Sequence, residues 1–452
     1  MFIPASENSS AGWVDVLVYV LPLVQFIQIP MVGNLLGSDI LFLVVFFGFL
    51  MRGELRLQHP LAKRCILLCW LWFVFQFLTD YVRQSAFEDY ARGWSKILLT
   101  LVSFSVLFFL LYGQRRRILV FGWGLVAGTV MAFWLNPDYL AIDYPWKFGI
   151  SYPLTLAVFL LMSRRPYRPF QALLWSIVMG CINIYLNARS RGGFCLATAA
   201  YLLAGILWKR RGSPPVCIRF KTVLLSLAAM VLVGAAILST YEYAANAGFL
   251  GEDAKQKYEA QVSGKLGLLV GGRSDLLGAF AAIYDSPVFG HGSWARDPRY
   301  VLLDLQAMAQ FGYEDTASME NELINSGFRI PAHSFLLEAW VEAGIAGALF
   351  WGWIFALGLG ALFRFGPLRV DFSPLAAFSV FSLLWDIAFS PYGTVGSVYR
   401  LIAPYYIVIL MTCIGALAPE PARARVSDNN PPPALLPPTP VQPLIPAIEE
   451  GR

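Results

Sequence analysis

The chain has 452 residues and a net charge of +5; 57% of them are hydrophobic and only 14% charged, and the mean hydropathy is +0.59. A soluble domain carries about a quarter charged residues, so the composition excludes a soluble globular protein and points to a bilayer. The small positive excess is a topology signal, described below, and is no argument for nucleic acid as a partner.

About 20 apolar residues cross a bilayer as a helix, and a helix is the only open-chain form that satisfies its backbone in lipid. Twelve such runs are predicted, over 13–32, 34–51, 65–80, 95–112, 118–135, 148–163, 170–188, 192–208, 222–243, 343–363, 373–390 and 401–418. Pro30, Gly33 and Gly37 interrupt the first two. The opening "MFIPASENSSAG" lacks the basic region of a signal peptide, so the first run reads as a retained span. Alternate short loops hold 17 basic residues on one side and 7 on the other. By the positive-inside rule both termini are cytoplasmic. Arg189 and Arg191, in "YLNARSRGGF", then lie on the outer side, against the trend.

Residues 1–243 thus read as a membrane domain, 244–332 as a large outer segment, 333–418 as three further spans, and 419–452 as a proline-rich cytoplasmic tail. The outer segment is too long for a plain connection. It holds two helix-like stretches, "GEDAKQKYEAQVSGKL" and "RSDLLGAFAAIYD", and is expected to form a helical cap. Five cysteines fall in spans and Cys217 in a cytoplasmic loop, so no disulfide framework is implied. No cysteine–histidine cluster has zinc-ligand spacing.

Several outer-side residues suit chemistry on a phosphorylated lipid. An arginine fork binds phosphate through two charge-assisted hydrogen bonds. Arg191 has Gly192 and Gly193 beside it, which leave room for a bulky ligand; Arg189 sits in the same turn. The plainer reading is that both arginines anchor a helix end. Arg273 follows two glycines and is a second candidate phosphate clamp, or else an ordinary surface arginine. His333 directly precedes an amphipathic stretch and a span; a neutral imidazole there can take a proton from a sugar hydroxyl. His59 falls in a cytoplasmic loop and His291 in a glycine-rich outer one. Glu338 and Glu342, at i and i+4, either orient His333, bind sugar, stay solvated or pair with loop arginines. Asp386 lies inside a span, where an acid is costly, and could hold an arginine in place.

Together these stretches resemble the O-antigen ligase and O-antigen polymerase superfamily. "SRGG" at Ser190–Gly193 looks like its Ser-Arg-Gly turn between spans. "GRSDLLGAFAAIYDSPVFGHG" is similar to its outer-loop pattern of Gly-Arg, a helix, then Pro-x-x-Gly-x-Gly, although Leu276 or Leu277 stands where a tryptophan is common. His333, Ser334, nine residues, Gly344 and Gly347 resemble the ligase pattern. The resemblance implies an all-α integral membrane protein with about twelve helices and a large periplasmic loop, similar in build to the C-type glycosyltransferases. It implies an undecaprenyl-diphosphate-linked glycan as donor and a sugar hydroxyl of the lipid A core as acceptor, at the bacterial inner membrane. By motif, Arg191 and Arg273 would hold the diphosphate and His333 would act as base, with Arg189, Asp386 and Glu338 in support. No cofactor is implied. Without paired carboxylates at glycosidase spacing or an acidic metal cage, the expected reaction is a metal-independent inverting transfer. Polymerase activity on lipid-linked glycan is the nearest rival, and the His-Ser-x9-Gly-x-x-Gly pattern favours the ligase. A protein O-oligosaccharyltransferase usually carries a larger outer domain near its C-terminus. A flippase or transporter would show two similar halves and midplane residues, whereas here nine spans, a cap and three spans follow one another.

Overall fold

The structure is a computed structural model. It describes residues 11–31, 33–55, 57–164, 168–210, 243, 276–310, 327–392 and 399–417. These lie in one compact unit ending at Leu417. The expected span 222–243 apart from its last residue, the stretch "GEDAKQKYEAQVSGKL", Arg273 and the proline-rich tail lie outside the described residues.

Among the described residues the protein is helical, apart from one two-stranded hairpin and a single isolated bridge. Helix α1 (Ala11–Leu23) runs through a short 3-10 turn into strands β1 (Gln28–Met31) and β2 (Gly33–Leu36), and α2 (Gly37–Met51) follows. The continuous span expected over 13–32 is therefore cut short. Pro30 removes a backbone donor, and Gly33 takes a φ of +95° that turns the chain. Next come α3 (Pro60–Arg83), α4 (Phe87–Leu111), α5 (Arg115–Leu135) and the short α6 (Tyr139–Asp143). A π-helical turn over Pro145–Ile150 leads into α7 (Ser151–Met162), then α8 (Pro169–Tyr185) and α9 (Arg189–Arg210). The outer segment contributes α10 (Leu276–Asp285) and α11 (Pro298–Gln310). The chain closes with α12 (Phe335–Ala343), α13 (Ile345–Phe363), α14 (Ser373–Phe389) and α15 (Tyr399–Gly415).

Among the described residues six helices are long and apolar enough to cross a membrane: α3, α4, α5, the π-turn with α7, α9 and α13. Helices α1, α2, α8, α14 and α15 are apolar but have only 13 to 17 residues. At 1.5 Å per residue they rise about 20–26 Å, less than the roughly 30 Å hydrocarbon core. The outcome is an all-α membrane protein with six spans by length and composition and a set of shorter apolar helices. Helix α4 is the most enclosed of the six, with 78% of its apolar window buried. Together with α15, buried from Leu401 to Met411, it forms the interior on which the others pack.

Contacts sort the loops by bundle end. At one end Arg116 pairs with Asp15 at 2.8 Å, Arg115 donates to the Ser163 carbonyl, and Tyr112 meets His59. At the other, Asn136 donates to the Phe26 carbonyl, Arg400 to that of Asn34, and Arg83 to that of Gly290. In these contacts the expected loops meet loops or span-end regions expected on the same side of the membrane.

The outer segment is locked to the helices by backbone approach. His291 N donates to the Val341 carbonyl at 2.7 Å, and Gly292 N to that of Glu342 at 3.0 Å. Gly290 and Gly344 both have positive φ and face each other: a Cβ on Gly290 would lie 2.7 Å from the Gly344 nitrogen, and one on Gly344 would strike the Val288 carbonyl oxygen. The carboxylate of Asp80, buried near the end of α3, accepts from the Ser293 backbone at 2.6 Å, the Ser293 hydroxyl, Ser85 and the Trp94 indole.

Beside this lock four charges are enclosed. Lys96 of α4 donates to Glu338 at 2.9 Å and to Glu342 at 2.7 Å, and Arg329 reaches both carboxylates at 3.3 Å. Lys96, Glu338 and Glu342 are 2–3% exposed, which rules out the solvated alternative for the acidic pair. Arg329 is the expected loop arginine; Lys96 is an additional partner. Backbone donors complete the shell, from Tyr392 to Glu338 and from Trp294 to Glu342. Burial on its own would raise the Glu338 carboxyl, but Lys96 and Arg329 outweigh it and hold it below its ordinary value.

Two outcomes follow for unfolding measured in detergent. Lys96→Met leaves two buried carboxylates with one cation and costs about 3–5 kcal/mol. Gly344→Ala places a side chain at positive φ against the Val288 carbonyl and lowers stability by about 3 kcal/mol, whereas Gly193→Ala, with open space around it, is close to neutral.

Candidate functional site

Helix α8 ends at Tyr185, and Asn187 takes a left-handed φ of 62° that reverses the chain. The turn lies three residues earlier than expected, so Arg189 and Arg191 stand in the first turn of α9 and not in a loop. That placement is informative. A helix N-terminus carries a partial positive charge and favours anions, so two guanidinium groups there oppose the dipole unless an anion joins them. Arg191 is half-buried. It donates to the Lys147 carbonyl at 3.2 Å and to the Ser151 hydroxyl, and its guanidinium lies 5.4 Å from the Tyr152 ring centre. The π-turn therefore fixes Arg191, because its last turn and Ser151 supply the acceptors. Arg189 donates to the Asn187 side chain at 3.2 Å.

The two glycines after Arg191 have separate jobs. A Cβ on Gly192 would meet Ile184 and the Gly180 carbonyl oxygen, so this glycine serves the close packing of α8 on α9, not ligand access. Gly193 has no atom within 4 Å of a built Cβ, and only there is space left beside the arginine.

Asp386 is 8% exposed near the end of α14 and accepts from Ser390 at 2.8 Å. Tyr399 stands at the start of α15. Its ring packs 5.5 Å from that of Phe335, the first residue of α12. Tyr399 escaped the sequence reading; its place two residues before the expected span 401–418 and one before Arg400 gave no chemical signal.

His333 is exposed, on the link between Ile330 and α12. Its neighbour Ser334 caps α12 by accepting from Leu337 N at 3.1 Å and donates its hydroxyl to the Ile387 carbonyl at 2.8 Å. The Ser334 hydroxyl thus ties the His333 segment to α14 one residue from Asp386. Glu338 belongs to the enclosed charge cluster and does not reach open space. His291 is structural: its ring Nε2 lies 2.7 Å from the Ala282 carbonyl, which can only accept, so Nε2 carries the proton. Burial pushes its pKa below the ordinary histidine value.

The Ser334 bond to Ile387 thus places the His333 segment against α14 beside Asp386, Arg191 is held by the π-turn and Ser151, and Arg273 lies outside the described residues. An open apolar cleft of about 250 Å³ flanks the π-turn, lined among others by Val126, Phe133, Ile150 and Leu154. Ile150 adjoins Ser151, which accepts from Arg191.

No curated protein matches the chain. Residues 174–352, from α8 into α13, match the family model described as O-Antigen ligase, a similarity consistent with the O-antigen ligase/polymerase superfamily.

Proposed function

We propose that the protein is an O-antigen ligase. It transfers a glycan from undecaprenyl diphosphate to a sugar hydroxyl of the lipid A core, at the periplasmic face of the bacterial inner membrane. The observation that carries this reading is the pair of arginines in the first turn of α9, set against the helix dipole, at the same bundle end as an exposed histidine. Arg191, with Arg189 and Arg273, would hold the diphosphate. As the bond from the sugar C1 to the diphosphate breaks, its electron pair passes to the leaving oxygen. Fixed guanidinium groups stabilise that growing charge. His333 would take the proton of the acceptor hydroxyl as its oxygen bonds to C1 from the opposite face, which inverts the configuration. Asp386 balances the charge of Arg191 when the site is empty. The apolar cleft beside the π-turn suits a polyprenyl tail. The outer segment 244–332 acts as a cap over this end, and both termini are cytoplasmic. The spacing of His333, Ser334, Gly344 and Gly347 favours the ligase over the polymerase.

Reconstituted transfer tests the reading. With lipid-linked glycan, lipid A–core and EDTA, wild type yields glycan-bearing lipid A. His333→Ala lowers kcat about 10²–10⁴-fold and Arg191→Ala about 10²–10³-fold. Product confined to longer lipid-linked glycan assigns the polymerase instead. Dependence on a divalent cation overturns metal independence. For topology, an impermeant maleimide labels Ser190→Cys from the periplasm and Arg116→Cys only after the inner membrane is broken; the reverse pattern refutes the orientation.

A further inference from the structure

We propose that Arg329 is the positioning residue for His333, a role that rests on the reading of His333 as the base. His333 stands at the end of a three-residue link, Pro331 to His333. Ile330 N donates to the Ala295 carbonyl at 2.9 Å before it, and Ser334 caps α12 after it. Such a link swivels about its two ends unless they are held at a fixed separation. Arg329 lies upstream of the link and Glu338 downstream, and their ion pair at 3.3 Å closes the segment into a ring. Glu342 completes the clamp at 3.3 Å. The Trp294 ring, 4.1 Å from the guanidinium carbon, forms a wall that the arginine cannot swing through.

Charge balance explains why a cation is required at this point. Glu338 and Glu342 share one face of α12 and repel each other. Lys96 neutralises one of these buried charges and ties α12 to α4. The remaining negative charge is met by Arg329, which alone of the two cations belongs to the segment carrying His333. Lys96 thus fixes the helix, and Arg329 fixes the histidine's link to that helix. A planar guanidinium meets two carboxylates at once; an ammonium in its place keeps the charge with less directional control.

The test uses the full-length protein in proteoliposomes, with donor concentration varied for wild type, Arg329→Gln and Arg329→Lys, and hydrogen exchange followed by mass spectrometry. Arg329→Gln is expected to lower kcat roughly 10–100-fold, the scale of a misplaced catalytic group. The KM for the lipid-linked donor should stay within about two-fold, because ground-state binding is untouched. Arg329→Lys should recover most of the loss, and exchange in Arg329→Gln should rise over 330–337 while α4 and α5 stay protected. Wild-type kcat in folded Arg329→Gln overturns the proposal. So does equal loss in both variants with exchange rising through α4, which marks general destabilisation. If His333→Ala retains full transfer, the base reading fails by itself. Positioning is then judged by exchange alone: a local rise over 330–337 in Arg329→Gln upholds it, and its absence refutes it.

Discussion

Two carboxylates and two cations, enclosed at one end of the bundle, hold together parts of the chain that are far apart in sequence. Lys96 comes from an enclosed helix, Glu338 and Glu342 from the helix after the histidine, and Arg329 from the end of the outer segment. A buried ion pair is weak evidence for stability, because desolvation consumes most of the Coulomb attraction. Its value lies in geometry. Every wrong arrangement strands a charge away from water, so the cluster admits one docking of the outer segment on the membrane helices. The backbone lock at Gly290 and Gly344 then makes that docking close enough to bring His333, Ser334 and α14 into one assembly.

The helical architecture was legible because lipid demands long apolar runs and satisfied backbones. The edges of α3, α5, α13 and α14 follow from Pro60, Arg115, Arg364 and Pro374, residues that mark helix ends by backbone chemistry or charge. The strand pair at 28–36 was hidden, since a run of apolar residues does not distinguish a helix from a short hairpin at its end. Helix lengths were misjudged in both directions, because hydropathy follows apolar runs: α3, α4 and α9 extend past them into polar residues, while α1 and α8 stop short, the α8–α9 turn being set by the left-handed Asn187.

The site was readable where chemistry is local and opaque where it is shared. Arg191 and His333 stood out because each is an unusual residue at a predictable place along the chain. Lys96 did not, since one lysine at a helix start looks like an interfacial anchor; only a partner 242 positions away gives it meaning. Tyr399 and Ser151 were missed on the same ground. Gly192 was assigned to the ligand because it adjoins Arg191, yet the neighbour it makes room for is the Gly180 carbonyl of α8.

The lock between Gly290 and Gly344 also dictates an order of assembly. The outer segment is synthesised before α12 and α13, so only the α3 part of its docking surface exists when it emerges. Ser293 can reach Asp80 on α3 at once, but the Val341 and Glu342 carbonyls that receive His291 N and Gly292 N arrive some fifty residues later. Its docking therefore stays incomplete until α12 is in place. The histidine comes into place only with that final closure, so a chain interrupted before α12 has no assembled site and exposes no half-formed one to the lipids around it.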